Sequence, residues 1–126
     1  MKNYLFFILL SFVLTSCVAQ DTAHYKVINQ AEYEQAIKSN QQIQLVDVRT
    51  PEEYNEGHLE NALNININHS NFKELVQKLD KEKPIYIYCR SGVRSRKAGA
   101  VLEKMGFKQI FDLQGGILSW TGKTIK

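Results

Sequence analysis

Apolar and polar positions alternate in short blocks along most of this chain. Ile85-Tyr-Ile-Tyr88 is β-branched and aromatic throughout and bounded by Pro84, which predicts a fully buried strand of a parallel sheet. Behind it Ala98, Val101, Leu102 and Met105 recur at the spacing of one helix face, with Gly106 as the stop. Earlier in the chain, Tyr25–Ile28 reads as a weak first strand. Asn29 then caps a helix through Ser39, with Tyr33, Ala36 and Ile37 on its inner face and Asn40 closing it. Ile43–Val48 reads as the second strand. Thr50-Pro51-Glu52-Glu53 follows, a capping box with proline at the first helical position. Ala62–Ile65 gives a third strand. Ser70–Leu79 gives a helix with Phe72, Leu75, Val76 and Leu79 on one face, and Asp80–Lys83 a charged turn. Gln109–Asp112 is the last strand, and Thr121–Lys126 a short polar tail. Strands alternating with helices through right-handed crossovers predict a three-layer α/β fold, a parallel sheet of about five strands flanked by helices.

The first residues do not fit this pattern. Lys2 precedes an apolar run, Leu5–Leu14, broken only by Ser11 and followed by Thr15-Ser16-Cys17. Such a run is too short to span a bilayer and has the form of a secretory signal. We therefore divide the chain into a signal peptide (1–16), a lipidated Cys17 with a polar tether (17–24), and one domain (25–126). The competing reading is cleavage after Ala19, without lipid; both readings export the protein to the cell envelope or periplasm. Lys2 is the one charged residue in 1–16, so its removal lowers the net charge from +3 to +2. That balance, without a basic run, points to no nucleic acid. With Cys17 lipidated, Cys89 is the single free thiol, which in an oxidising compartment points to a reactive role. Multiple acyl chains on Cys17 would anchor the protein stably to a membrane.

Cys89 stands at the carboxyl end of the buried strand and opens Cys89-Arg-Ser-Gly-Val-Arg-Ser95. Successive loop amides and a helix N-terminus make an anion site, which would hold a thiol as thiolate. Gly92 permits the turn, and Arg90 and Arg94 add positive charge on either side. The bland alternative is a small apolar cysteine ending a core strand. Two arginines and a glycine within five residues favour function. His24, His58 and His69 are scattered, and no metal site is indicated.

The Cys89–Ser95 loop resembles the Cys-x-x-Gly-x-Arg active-site loop of rhodanese-type sulfurtransferases. Asp47-Val-Arg49, Glu52-Glu53-Tyr54, Gly57-His58-Leu59 and the ending Gly115-Gly116-x3-Trp120 are similar to further motifs of that family. Asn61, where glycine is usual, and Asn66, where proline is common, depart from it; asparagine can take the left-handed conformation that glycine would. The resemblance implies that Cys89 carries sulfur as a persulfide, cradled by the amides of Arg90, Ser91, Gly92, Val93, Arg94 and Ser95. Arg94 would fold back over the loop to meet a donor's sulfonate. It implies ping-pong transfer from a small sulfur-containing anion such as thiosulfate to cyanide or another thiol, with no cofactor. Asp47 and Arg49 would lie beside the Cys89 strand in supporting roles, Asp47 as a buried hydrogen-bonding residue and Arg49 paired with Glu52 or Glu53. His58 would belong to a structural turn, and Trp120 to packing. Two other classes stay open. One is a phosphatase or arsenate reductase of the same fold, whose loop is one residue longer; the other is a non-catalytic binding module.

Overall fold

Buried and exposed positions sort the chain into five strands, β1 (Tyr25–Ile28), β2 (Gln44–Asp47), β3 (Leu63–Asn64), β4 (Ile85–Tyr88) and β5 (Ile110–Leu113). Between them run α1 (Gln30–Ser39), α2 (Pro51–Glu56), α3 (Phe72–Val76) and α4 (Val93–Lys104), and a 3-10 turn follows β5 at Ile117–Ser119. The computed structural model describes residues 24–39 and 42–126; the expected signal peptide, the expected lipidation site Cys17 and the expected helix end at Asn40 lie outside the described residues. All strand pairs are parallel, in the order β1-β5-β4-β2-β3, so β4 is central. Its four residues are all buried, as an interior parallel strand requires.

The two-residue period of β4 sends Ile85, Ile87 and Cys89 to one face of the sheet and Tyr86 and Tyr88 to the other. The first face packs Phe72 and Val76 of α3 and Ala98 and Leu102 of α4. The second packs Tyr33 of α1, Leu59 and Ala62, with Tyr54 of α2 at its margin. Each fully buried large side chain contributes about 1.5–3 kcal/mol. Helices on both faces make the three layers expected from the alternating pattern.

Local signals worked where chemistry was specific. Asn29 accepts from the Glu32 amide at 2.9 Å and starts α1. Thr50 and Glu53 form the reciprocal capping box that opens α2. Asn61 takes the left-handed conformation, with φ 67°. α4 ends with the Phe107 amide on the Leu102 carbonyl and the Gly106 amide on that of Glu103, a Schellman closure.

Three expectations are corrected. The helix expected over Ser70–Leu79 is only α3, five residues long, and continues as turns; Leu75 and Leu79 still pack on the core. The third strand pairs over two residues only, because it is the sheet edge and Ile65 and Ile67 leave it to bond the carbonyls of Asp47 and Val48. The polar tail is not free: Ile125 exchanges both backbone hydrogen bonds with His58, each 2.9 Å.

Candidate active site

Cys89 leaves β4 buried, 1% exposed, where the chain turns sharply into α4. Gly92 makes that turn at φ 108°; a Cβ there would meet nothing within 4 Å, so glycine is required by conformation and not by space. Its amide donates to Cys89 Sγ at 3.0 Å. Among the described residues, the amides of Ser91, Val93, Arg94 and Ser95 have no acceptor within the protein. They are the open donors of a loop and helix start, the arrangement that receives an anion. A second turn supports the loop from outside. Ile117 and Leu118 donate to the carbonyls of Cys89 and Arg90 at 2.9 and 3.1 Å, leaving the loop's carbonyls engaged and its amides free. Gly116, φ 64°, lies so close that a Cβ would stand 2.3 Å from the Arg90 oxygen. The pair of glycines thus permits a close turn under the loop.

The side chains divide differently from the sequence reading. Arg90, Ser91 and Val93 are exposed, and among the described residues Arg90 has no ion-pair partner. Arg94 is committed. Its Nη1 and Nη2 each donate to a carboxylate oxygen of Glu53 at 2.7 Å, so its fork faces α2 and is not laid over the loop. The Arg94 bonds hold the Glu53 carboxyl down to about 2, and those to Glu53 raise the Arg94 guanidinium in turn. Arg94 stands in the first turn of α4, the helix that the Cys89 loop leads into.

Asp47 and Arg49 do lie on the strand next to Cys89, since β2 pairs with β4. They serve a different purpose from the one the loop serves. Arg49 donates from Nε and Nη2 to Asp47, at 2.6 Å for the shortest bond, and also to the Gly57 carbonyl at 2.7 Å. Burial alone would lower the Arg49 guanidinium; the hydrogen bonds and charge of Asp47 outweigh it and raise it. Arg49 is therefore paired with Asp47, correcting the expected partner, Glu52 or Glu53. The pair packs against Tyr88 on the sheet face opposite Cys89, which makes it structural support.

His58 is in a structural turn, as expected: it stacks on Tyr54, and its Nδ1 donates to the Tyr54 carbonyl at 2.9 Å. His69 is exposed. His24 is half-buried with Nδ1 on the Lys108 carbonyl. Trp120 packs edge-on to Tyr33 and lines a cavity of about 510 Å³ that no residue of the Cys89 loop lines.

Three residues escaped the sequence reading. Glu53 was assigned to capping and, with Glu52, to Arg49; its carboxylate instead caps α2 and grips Arg94. Ser95 was counted for its amide; its hydroxyl is fully buried, 3.4 Å from Cys89 Sγ. Asp112, in β5, was read as a strand end and is a buried carboxyl on the Cys89 side of the sheet. A charged residue inside a predicted core strand was the available signal.

A buried thiol at the carboxyl edge of a parallel sheet, followed by a short loop of open amides and a helix start, defines the class: an α/β protein with a cysteine in an anion-receiving loop. The profile of the Rhodanese-like domain family matches residues 29–123, and the chain belongs to that family. It is 35% identical over 96 residues to the thiosulfate sulfurtransferase GlpE of Coxiella burnetii, covering 76% of this chain and 87% of that protein. It is 31% identical over 123 residues to YqhL of Bacillus subtilis, covering 98% and 96%. Among solved structures, a rhodanese-related protein of Thermoplasma volcanium superposes with a TM-score of 0.70 at 33% identity, covering 80% of this chain and 98% of that one.

Proposed function

We propose that this protein is a sulfurtransferase that carries sulfane sulfur on Cys89. The observation that supports it most is the Cys89 sulfur itself, held at 3.0 Å by the Gly92 amide and ringed by loop amides without internal acceptors. The family relationship and the relative named thiosulfate sulfurtransferase point the same way. The thiolate attacks the outer sulfur of thiosulfate or a similar donor; the S–S bond of the donor breaks and sulfite leaves with its electron pair. The Cys89 persulfide then holds its negative outer sulfur against the loop amides. A thiophilic acceptor, cyanide or another thiol, takes that sulfur and returns the thiolate. Arg90, the exposed cation of the loop, draws the anionic donor in.

The loop runs six residues from Cys89 to Arg94, one fewer than a phosphatase loop, which favours a sulfur atom over a phosphate ester above the thiolate. Mass spectrometry after thiosulfate treatment should show one added sulfur, lost in Cys89→Ser. Hydrolysis of an aryl phosphate that depends on Cys89 would overturn the assignment, and loss of both reactions would leave a binding module. We further propose export with lipid on Cys17, supported by Leu14-Thr15-Ser16-Cys17 after a short apolar run. Intact mass of the membrane fraction tests it, and a soluble form beginning at Gln20 would refute it.

A further inference from the structure

Ser95 has a hydroxyl that the amide cradle leaves unused. It stands in the first turn of α4 and is 0% exposed, shut off from bulk solvent. Three hydrogen bonds close a ring through it. The Gly92 amide donates to Cys89 Sγ at 3.0 Å, Sγ donates to Ser95 Oγ at 3.4 Å, and Oγ donates to the Gly92 carbonyl at 3.2 Å. That carbonyl also accepts from the Arg96 amide at 3.2 Å, the ordinary bond of the helix start. Gly92 therefore keeps a partner when the hydroxyl leaves it.

The ring suits only a protonated thiol. Once Cys89 loses its proton, Sγ no longer donates and becomes an anionic acceptor, while the hydroxyl has one proton to give. A hydrogen bond to a charged sulfur outweighs one to a neutral carbonyl that already holds an amide. Rotation about the Cβ–Oγ bond moves the Ser95 proton from Gly92 to Sγ with no heavy atom displaced. The other charged groups around the thiol are Arg90 in the loop, Arg94 of α4 with Glu53 of α2 on its fork, and Asp112 of β5 on the Cys89 side of the sheet. Asp47 of β2 is held by Arg49, Lys73 and Glu74 of α3 are exposed, and so are Arg96 and Lys97 of α4. All of these remain when the Ser95 hydroxyl is removed, so a change in the thiol then reports the hydroxyl.

We propose that the Ser95 hydroxyl is a two-position catalytic group: it donates to the Gly92 carbonyl while Cys89 is a thiol or carries sulfur, and turns to donate to Sγ while Cys89 is a thiolate. The role rests on Cys89 being the sulfur-carrying nucleophile. The hydroxyl serves the inner sulfur, and the loop amides serve the outer one. In loading, Sγ gives its electron pair to the outer sulfur of thiosulfate, sulfite leaves with the pair of the broken S–S bond, and the hydroxyl returns to Gly92. In discharge, cyanide takes the outer sulfur as thiocyanate, the pair of the Sγ–S bond returns to Sγ, and the hydroxyl turns to meet it. The proton stays on Ser95 throughout. Ser95 thus makes Cys89 a better leaving group, at the expense of some nucleophilicity once it is ionised.

The test compares the full chain with Ser95→Ala. Ultraviolet titration of the thiolate should show its midpoint raised by about one unit in the variant, tenfold in thiolate fraction below both midpoints. Single-turnover rates are then measured above both midpoints, where each protein is fully ionised. Sulfite release on loading should quicken about threefold in Ser95→Ala, and thiocyanate formation on discharge should slow by about the same factor. A merely structural role would slow both. Gly92-Val93 is the one Gly-Val pair in the sequence, so carbonyl-labelled glycine with nitrogen-labelled valine isolates the Gly92 carbonyl by nuclear magnetic resonance. Its signal should shift as the thiolate forms, and most of that shift should vanish in Ser95→Ala. An unmoved midpoint, half-reactions that change in the same direction, or equal carbonyl shifts in the two proteins would overturn the proposal. Titration and resonance need no sulfur donor. An unaltered protein that never loads sulfur therefore refutes sulfur transfer while these two still decide Ser95. Should Ser95→Ala fail to fold, a Gly92 signal that stays fixed through the thiolate transition of the unaltered protein overturns the two positions.

Discussion

Glu53 and Arg94 show how one carboxylate can serve two elements. The pair is partly exposed, so its worth to stability is about 1 kcal/mol or less; its larger effect is on the charge beside Cys89. Arg94→Ala leaves Glu53 as an uncompensated anion and should raise the midpoint of thiolate formation. Glu53→Gln frees a cation and should lower it. The double variant should return close to the unaltered protein, and midpoints unmoved in both single variants would refute the influence of this pair on the thiol. Because the Glu53 carboxyl is lowered from 4.5 to about 2, the stability it lends is complete above 4.5 and is lost as pH falls through 2. Asp112 has the opposite sign. Its carboxyl is raised, so the folded state is favoured below the ordinary value of 3.8 and loses that advantage as pH rises through the folded value. The melting temperature of Asp112→Asn should therefore gain on that of the unaltered protein as pH increases, and a constant difference across pH would contradict the raised carboxyl.

Among the elements, the close turn at Gly115–Gly116 matters more to the site than its length suggests. It holds the Cys89 and Arg90 carbonyls through the amides of Ile117 and Leu118, which orients the loop's own amides inward. Gly116→Ala must fit a Cβ 2.3 Å from one backbone oxygen and 2.7 Å from another at a positive φ. Backbone strain of this kind costs about 1–3 kcal/mol before the clash is counted. We expect both a lower melting temperature and loss of sulfur transfer disproportionate to it, measured on the folded fraction. A variant of unaltered stability and activity would show that the loop does not depend on this turn.

At the scale of the molecule, the sheet brings residues far apart in sequence to one edge. The Ile125 exchange with His58 closes the chain's end over the turn that follows α2, and Arg49 binds the same turn through the Gly57 carbonyl. Truncation after Gly122 removes two backbone hydrogen bonds, about 0.5–1.5 kcal/mol each, and should lower the melting temperature while leaving persulfide formation intact. Loss of persulfide from a folded truncated protein would place the tail in the site.

The sequence by itself determined the α/β class, the buried central strand, the Asn29 cap, the capping box at Thr50 and the thiol-bearing loop. Each rests on signals within a few residues: periodicity, capping chemistry, and a cysteine followed by glycine and arginines. It did not determine which cation faces which anion. Arg49 chose Asp47 two residues away over Glu52 and Glu53, because the turn after β2 folds its side chain back onto the strand end. Arg94 found Glu53 forty-one positions earlier, because β2 and β4 are neighbours and their following helices start side by side. Helix length at α3 and the tail's role were likewise decided by packing, since short apolar spacings do not say where a sheet edge ends. The Tyr25–Asp112 hydrogen bond exists only in three dimensions. It needs β1 beside β5, β5 beside β4, and a glycine in α4 at the point where the tyrosine ring crosses.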